Sequence, residues 1–164
     1  LAMLGISCIM VRERDCDFGD TAGGFSARKS SHLQYRVRLA NHSKANLFLS
    51  IHANSFPQHI YRGAQTFYPV SEPESRRLAR MIQAHLVKDL RPNHRQARPG
   101  DYRVLNETKM PSVTIEVGFL SNPDEARQLA DSSYRERVAV AIKNGVLAYF
   151  DGWEATESKE SPHP

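Results

Sequence analysis

The 164-residue sequence is poor in cysteine and in long apolar runs, and it contains no internal repeat. Its two cysteines, Cys8 and Cys16, are too few for a disulfide framework and lack the spacing of a Cys-x-x-Cys metal motif, so we expect two free thiols. No apolar run approaches the roughly 20 residues that a membrane-spanning helix requires. The nine glycines and nine prolines follow no period, which excludes collagen-like and repeat architectures.

The charged residues are nearly balanced, with 22 Lys and Arg against 18 Asp and Glu and a formal net charge of +4. A positive balance is compatible with an anionic partner, either nucleic acid or a cell wall. The basic residues are dispersed, however, and they do not alternate with aromatic residues as in RNA-binding modules. We therefore expect no nucleic-acid partner. Salt-dependent retention on DNA would instead support a basic nucleic-acid-binding module.

Strand and helix patterns alternate along the chain, which predicts an α/β fold with helices on both faces of one mixed, mostly parallel sheet. Residues 1–150 are expected to form one domain and residues 151–164 a polar tail. Apolar runs predict strands over 6–12, 46–52, 61–68, 102–105 and 112–117. Helical spacing predicts helices over 27–42, 71–90 and 133–150, with a short helix after Asn122. Residues 91–100 are predicted to be an exposed loop.

Several residues indicate where helices begin or end. Ser71 and Ser133 are each followed by glutamate three residues later, as in a capping box. Asn122 and Pro123 are typical of a cap followed by the first helical residue. Gly5 follows what resembles the last turn of a helix. Because Leu1 is not a natural first residue, we expect the sequence to be cut from a longer protein whose first strand and most of whose first helix are missing.

Two polar side chains interrupt the predicted strands. His52 ends the apolar run 47–51, where an imidazole can bind a metal, transfer a proton, or simply bond to a neighbouring carbonyl group. Glu116 interrupts the β-branched run 113–117, where a carboxylate is costly to desolvate. It is predicted either to act as a general base with a raised pKa or to form a salt bridge with Arg36 or Arg38.

One histidine and one glutamate on neighbouring strand ends indicate metal-assisted hydrolysis. A catalytic zinc ion, however, requires three protein ligands and a water molecule. None of the other six histidines forms His-x-His or His-x-x-x-His spacing with His52. The residues by themselves therefore show only part of a metal site.

Four segments resemble, in order and spacing, the type 3 family of zinc-dependent N-acetylmuramoyl-L-alanine amidases. Residues 47–54 contain its SIHAN motif, and residues 111–122 match its P-x-x-x-x-E-x-G-F-L-S-N motif. Residues 11–15 resemble its TRxxD strand end, and residues 38–41 resemble the last four positions of its R-x-x-x-A-N helix motif. Within the family, residues 24–29 and 63–68 are most similar to germination-specific spore-cortex amidases.

The resemblance implies hydrolysis of the amide bond between N-acetylmuramic acid and L-alanine in peptidoglycan. It implies that His52 is a zinc ligand, that Glu116 is the catalytic carboxylate, and that Asn54 positions the peptide stem. The family's other two zinc ligands, a histidine in a Gly-rich turn and a glutamate on the first helix, have no counterpart here. An extracytoplasmic location and an unidentified activating protein partner are also expected.

Two other functions remain open from the sequence. A non-catalytic fragment or pseudoenzyme would retain a surface that binds the wall but would lack a complete zinc site, and the missing ligands favour it. A zinc peptidase would act on ordinary proteins, so cleavage of casein against cleavage of peptidoglycan separates it from an amidase. The sequence does not indicate the preferred peptide stem or the oligomeric state.

Overall fold

The computed structural model of the chain describes residues 5–14 and 24–157, without the side chains of 25 and 152–157. The helices of this part of the chain are α1 (Phe25–Ser43), α2 (Pro73–Asp89), α3 (Arg103–Asn106), α4 (Pro123–Ala130) and α5 (Ser132–Glu157). Its strands are β1 (Phe48–Asn54), β2 (Gln65–Tyr68), β3 (Arg98–Pro99) and β4 (Ser112–Phe119). Among these described residues, no helix is both long and apolar enough to cross a membrane.

The four strands of the described ranges form one sheet in the order β1-β4-β2-β3. β1 runs parallel to β4 and β2 runs parallel to β3, whereas β2 runs antiparallel to β4. The predicted mixed, mostly parallel sheet is therefore confirmed.

Helices cover both faces of the sheet, as predicted. Val113, Ile115 and Val117 of β4 face a core shared with α2 and α5. On the opposite face, Phe48 of β1 packs with side chains of α1 and α3. The inward residues predicted for the two long helices are all buried: Leu78, Ile82, Leu86, Val138, Ile142, Val146 and Tyr149.

The two parallel strands differ in burial. All eight residues of β4 are buried, as expected for a central strand. β1 was predicted to be buried on both faces, and this is wrong for its second half, where Ile51 is 57% exposed. In the described part of the sheet β1 is an edge strand that pairs only with β4.

Two predicted strands are wrong. Residues 6–12 form no strand and leave Ile9 and Met10 exposed. Residues 102–105 belong largely to α3, which buries Val104 and Leu105 against α1. Both segments have the apolar composition of a strand, but the backbone of a strand needs a ladder partner, and composition does not supply one.

The capping predictions have mixed outcomes. Ser71 does not cap α2, because Pro73 occupies the first helical turn and Glu72 is the residue before it. α5 begins at Ser132, one residue earlier than predicted, and the Asp131 side chain accepts a hydrogen bond from the backbone N–H of Ser133. Asn122 caps α4 as predicted, since its Oδ1 accepts hydrogen bonds from the N–H groups of residues 124 and 125.

Residues 91–100 are only partly exposed, contrary to the prediction. Asn93 is 4% exposed and donates a hydrogen bond from Nδ2 to the carbonyl oxygen of Ala64, and residues 98–99 form β3. α5 continues to Glu157, which lies beyond the domain boundary predicted at residue 150.

Near the start of the chain, Gly5 has φ of 74°, a left-handed conformation, whereas the residues 1–4 that were expected to end a helix lie outside the described ranges. Cys8 is an exposed free thiol, and Cys16 also lies outside those ranges.

The Asn122 cap gives a first prediction. Replacing Asn122 with Ala removes both bonds to the first turn of α4, as well as the bond from Nδ2 to the carbonyl oxygen of His59, which is 2.9 Å long. We expect a loss of about 1 kcal/mol in the free energy of unfolding, measured by chemical denaturation. Asn122→Asp keeps the oxygen that caps α4 but loses the donor to His59, so its stability should lie between that of Asn122→Ala and that of the unmodified protein. Equal stabilities for Asn122→Ala and the unmodified protein would contradict the capping role.

Candidate active site

His52 and Glu116 lie side by side. They are cross-strand partners in the parallel ladder of β1 and β4, so both side chains lie on the same face of the sheet. Both also lie toward the carboxyl ends of their strands, where open α/β sheets bind their ligands. The structure therefore brings together the two side chains that the sequence singled out.

A polar stripe surrounds this pair on the face covered by α1 and α3. Ser50 and Thr114 are cross-strand partners one step earlier in the ladder. The Ser50 hydroxyl lies 2.8 Å from His52 Nε2, which fixes the orientation of the ring. Thr114 Oγ1 and Glu116 Oε2 are buried and have no hydrogen-bond partner among the described residues. Two unpartnered oxygens in one buried stripe are unusual in a structural core.

Glu116 is 9% exposed, and this burial raises its pKa above the ordinary range. The alternative prediction of a salt bridge to Arg36 or Arg38 is not supported, since Oε2 has no partner in the described part of the chain. A buried carboxyl group with a raised pKa suits proton transfer.

The pKa of His52 is shifted in the opposite direction. Partial desolvation lowers its pKa, and the positive charges of Arg36 and Arg12 lower it further, although part of the ring remains exposed. Arg36 thus acts on His52 and not on Glu116. A lowered pKa keeps the imidazole neutral near neutral pH, which is the form that coordinates metals.

Gln65 and Tyr102 form a second wall. Gln65, 6% exposed, is the partner of Glu116 on the antiparallel side of β4. Tyr102 packs against Phe67 with ring centroids 5.5 Å apart, and burial followed by the charge of Glu116 raises the pKa of its phenol. Phe67 is the cross-strand partner of Thr114, so Tyr102 lies beside the polar stripe.

Asn54 ends β1 at an irregularity of the ladder between residues 52 and 54. Its Oδ1 accepts a hydrogen bond from the N–H of Ser55, and its backbone oxygen accepts one from Leu120. These bonds give Asn54 a local structural role. Its role in positioning substrate stays a prediction, in which the side-chain amide group makes the contact.

The connection from β4 to α4 is tight, as the sequence predicted. β4 ends at Phe119 and α4 begins at Pro123. The buried Glu125 accepts hydrogen bonds from Gly63 N at 2.7 Å and Phe119 N at 2.8 Å. Gly118 has φ of 154°, which favours glycine at this position. Glu125 therefore holds the segment before β2 against the end of β4, next to the site.

The described residues contain no group of three His, Cys, Asp or Glu side chains placed to hold a metal ion. They offer one neutral imidazole and one unpartnered carboxylate oxygen, both of which are ligand types that zinc accepts. This part of the chain therefore provides donors of the right chemistry but not a complete zinc site.

Comparison with known families matches residues 1–148 to Amidase_3, described as N-acetylmuramoyl-L-alanine amidase. The chain belongs to this family. The match covers nearly the whole domain and confirms the resemblance inferred from the four motifs. It does not by itself assign roles to His52, Asn54 or Glu116.

Amidase_3 relatives extend the comparison. The germination-specific N-acetylmuramoyl-L-alanine amidase of Bacillus subtilis is 43% identical over 149 residues, which are 89% of this chain and 62% of the relative. The amidase LytC of B. subtilis is 36% identical over 72% of this chain and 24% of its own length. The chain therefore spans less than two thirds of these relatives.

A solved structure, the CwlD amidase from Clostridioides difficile in complex with the GerS lipoprotein, superposes with a TM-score of 0.84. It is 37% identical, and the match covers 87% of this chain and 75% of that chain. The α/β architecture is thus that of a known amidase.

Sequence reasoning missed Gln65, Tyr102 and Arg95 at this edge of the sheet. Gln65 is brought to Glu116 by the antiparallel pairing of β2 with β4, and Tyr102 lies directly before α3. The sequence predicted a mixed sheet, but it predicted neither this particular pairing nor this helix. Arg95 lies in the segment expected to be an exposed loop. The two buried polar residues Gln65 and Asn93, one in a predicted strand and one in a predicted loop, have no distinctive local pattern.

Proposed function

We propose that the protein hydrolyses the amide bond between N-acetylmuramic acid and L-alanine in peptidoglycan. The observation that carries this proposal is the placement of His52 beside Glu116, whose buried Oε2 has no hydrogen-bond partner in the described part of the chain. Membership of the Amidase_3 family supports the reaction. The name of the B. subtilis relative, a germination-specific amidase, supports a role in the spore cortex.

Glu116 is proposed as the general base. Its carboxylate removes a proton from the attacking water, whose oxygen forms a bond to the carbonyl carbon of the lactyl group. Glu116 then gives the proton to the nitrogen of L-alanine as the C–N bond breaks. The products are a muramic acid carboxyl group and a peptide with a free N-terminal alanine. The raised pKa of Glu116 suits both proton transfers.

Zinc is the proposed cofactor, because the family resemblance includes it and His52 is a neutral nitrogen donor at the site. When bound, the metal would polarise the carbonyl group and acidify the water. His52 would be one of its ligands, oriented by the Ser50 hydroxyl. Asn54 is proposed to orient the peptide stem through its side-chain amide.

An extracytoplasmic site of action follows from a peptidoglycan substrate and is proposed on that ground. A protein partner is also proposed. The CwlD amidase from C. difficile was solved in complex with a lipoprotein, and this chain shares its fold over 87% of its residues. A partner of the same kind would be consistent with the activating protein expected from the sequence.

The experiment that tests this function is product analysis after digestion of purified peptidoglycan with zinc added, using the protein together with the upstream segment expected to carry the other two zinc ligands. We expect new N-terminal alanine residues and intact glycan strands. The His52→Ala variant should produce at least about tenfold fewer N-terminal alanine residues. Casein, as a parallel substrate, should remain uncut. Cleavage of casein would favour the zinc peptidase alternative, and binding to peptidoglycan without release would favour the non-catalytic alternative.

A further inference from the structure

Arg95 is a half-buried cation held rigidly at the edge of the site. Its Nε donates a hydrogen bond to the carbonyl oxygen of Arg62 at 2.6 Å, and its Nη1 donates one to Gln65 Oε1 at 2.7 Å. The carbon of its guanidinium group lies 4.8 Å from the centre of the Phe119 ring. These three contacts fix the plane of the guanidinium group.

Gln65 connects Arg95 to the proposed base. Gln65 and Glu116 are cross-strand partners, so their side chains lie on the same face. Because β2 runs antiparallel to β4, the start of β2 lies at the carboxyl end of β4, where His52 and Glu116 are found. The Arg95 guanidinium group is therefore only one side chain away from the Glu116 carboxyl group.

Arg95 has no carboxylate in ion-pair contact among the described residues. Burial lowers the pKa of Arg95 and the charge of Glu125 opposes that shift, but both Glu125 oxygens accept bonds from the N–H groups of Gly63 and Phe119. A guanidinium group has five N–H donors, and within the described ranges Arg95 uses those on Nε and Nη1. Nη2 can therefore donate to a ligand.

We propose that Arg95 binds the α-carboxylate of the second residue of the peptide stem, and that it selects stems in which this group is a free acid. This proposal rests on the proposed function, because the scissile amide precedes the first stem residue. When the second residue is joined to the third through its side-chain carboxyl group, its α-carboxyl group stays free and is the nearest acid beyond the bond that Glu116 attacks. A rigid guanidinium group recognises a carboxylate through short, charge-assisted hydrogen bonds.

A purely structural role for Arg95 makes a different prediction. By bonding to the backbone of Arg62 and to Gln65, Arg95 also holds residues 91–97 against the start of β2. Loss of that link would reduce stability and would weaken binding of every substrate by a similar factor. Only a direct contact changes the ratio of affinities for an acid and an amide ligand.

The test measures equilibrium binding of two C-terminally amidated N-acetylmuramoyl tripeptides by calorimetry. In both, the second residue is a glutamate joined to the third through its γ-carboxyl group, and its α-carboxyl group is a free acid in one ligand and a carboxamide in the other. The unmodified protein should bind the acid about tenfold more tightly. Arg95→Met should bind both equally. Arg98→Met, an exposed arginine in the same segment, should keep the tenfold preference.

Arg95→Lys provides a second variant, because lysine keeps the charge but cannot hold Arg62, Gln65 and the ligand together. Its preference for the acid should fall below about threefold. Equal affinities in the unmodified protein, or a tenfold preference that persists in either folded Arg95 variant, would overturn the proposal. Release of N-terminal alanine from peptidoglycan is measured separately. If the unmodified protein prefers the acid ligand but releases no alanine, the proposed reaction is contradicted and the Arg95 site is still supported.

Discussion

Replacing Glu116 with Gln is expected to lower the rate of N-terminal alanine release from peptidoglycan by about 10²- to 10⁴-fold. Glutamine fills the same volume on β4 but cannot accept a proton from water. Glu136→Gln, which removes an exposed carboxylate from α5, serves as the control and should keep the full rate. Turnover of Glu116→Gln close to that of the control would show that Glu116 is not the base.

The same variant should be more stable than the unmodified protein in mildly alkaline buffer. Burial raises the pKa of Glu116, so the folded protein holds this proton more tightly than the unfolded chain does. This tighter proton binding stabilises the folded protein fully below the ordinary glutamate pKa. The stabilisation is lost as the pH rises through the raised pKa of Glu116. Thermal unfolding in the presence of chelator should therefore show a larger gain for Glu116→Gln at about pH 8 than at about pH 4. A loss of stability at the higher pH would indicate that the carboxylate is paired.

The second large effect is expected at Gly145, where α5 crosses α2. A Cβ atom added there would lie 2.4 Å from Ile82 Cα and 2.9 Å from Ile82 N. These are backbone atoms, so the two helices would have to separate and disturb the core around Leu78 and Val146. We expect Gly145→Ala to lower the free energy of unfolding by about 1–3 kcal/mol, measured by chemical denaturation.

Helix propensity alone predicts the opposite sign, because Ala in a helix interior is more favourable than Gly by roughly 0.5–1 kcal/mol. The sign of the measured change therefore decides between local propensity and close packing. Ala139→Gly, at an exposed position of the same helix, should cost about 1 kcal/mol and calibrates the propensity term. Stabilisation by Gly145→Ala would mean that α2 and α5 do not approach this closely.

The sequence correctly predicted those structural features that depend on residues close to one another along the chain. The β-branched run around Val113 and Ile115 predicted the central strand, because such side chains suit a strand that is covered on both faces. Asn122 followed by proline predicted the start of α4, because a cap depends on atoms within three residues. The helical spacing of Leu78, Ile82 and Leu86 likewise predicted the buried side of α2.

Structure that depends on distant partners was not predicted. Residues 102–105 were expected to form a strand, but burial of Val104 and Leu105 against α1 makes a helical turn there. Arg95 was placed in an exposed loop, since its contacts with Arg62 and Gln65 join segments about 30 residues apart. No pattern within one segment encodes such contacts.

The candidate site was predicted in part for the same reason. His52 and Glu116 stood out because each is a polar residue within an apolar run, and their shared register follows once two strands are parallel neighbours. Among the described residues, Glu116 forms no salt bridge and Arg36 lowers the pKa of His52. Both features depend on how α1 lies over the sheet. Those features needed the folded structure.

We assign zinc binding to His52 and proton transfer to Glu116. This assignment is tested most directly by zinc affinity, measured by competition with a chelating dye for the unmodified protein, His52→Ala and Glu116→Gln, each joined to the upstream segment expected to carry the other two ligands. We predict that His52→Ala weakens zinc binding by about tenfold or more, whereas Glu116→Gln changes it by less than about twofold. Strong loss of zinc in Glu116→Gln, with affinity preserved in His52→Ala, would contradict the assignment of both residues.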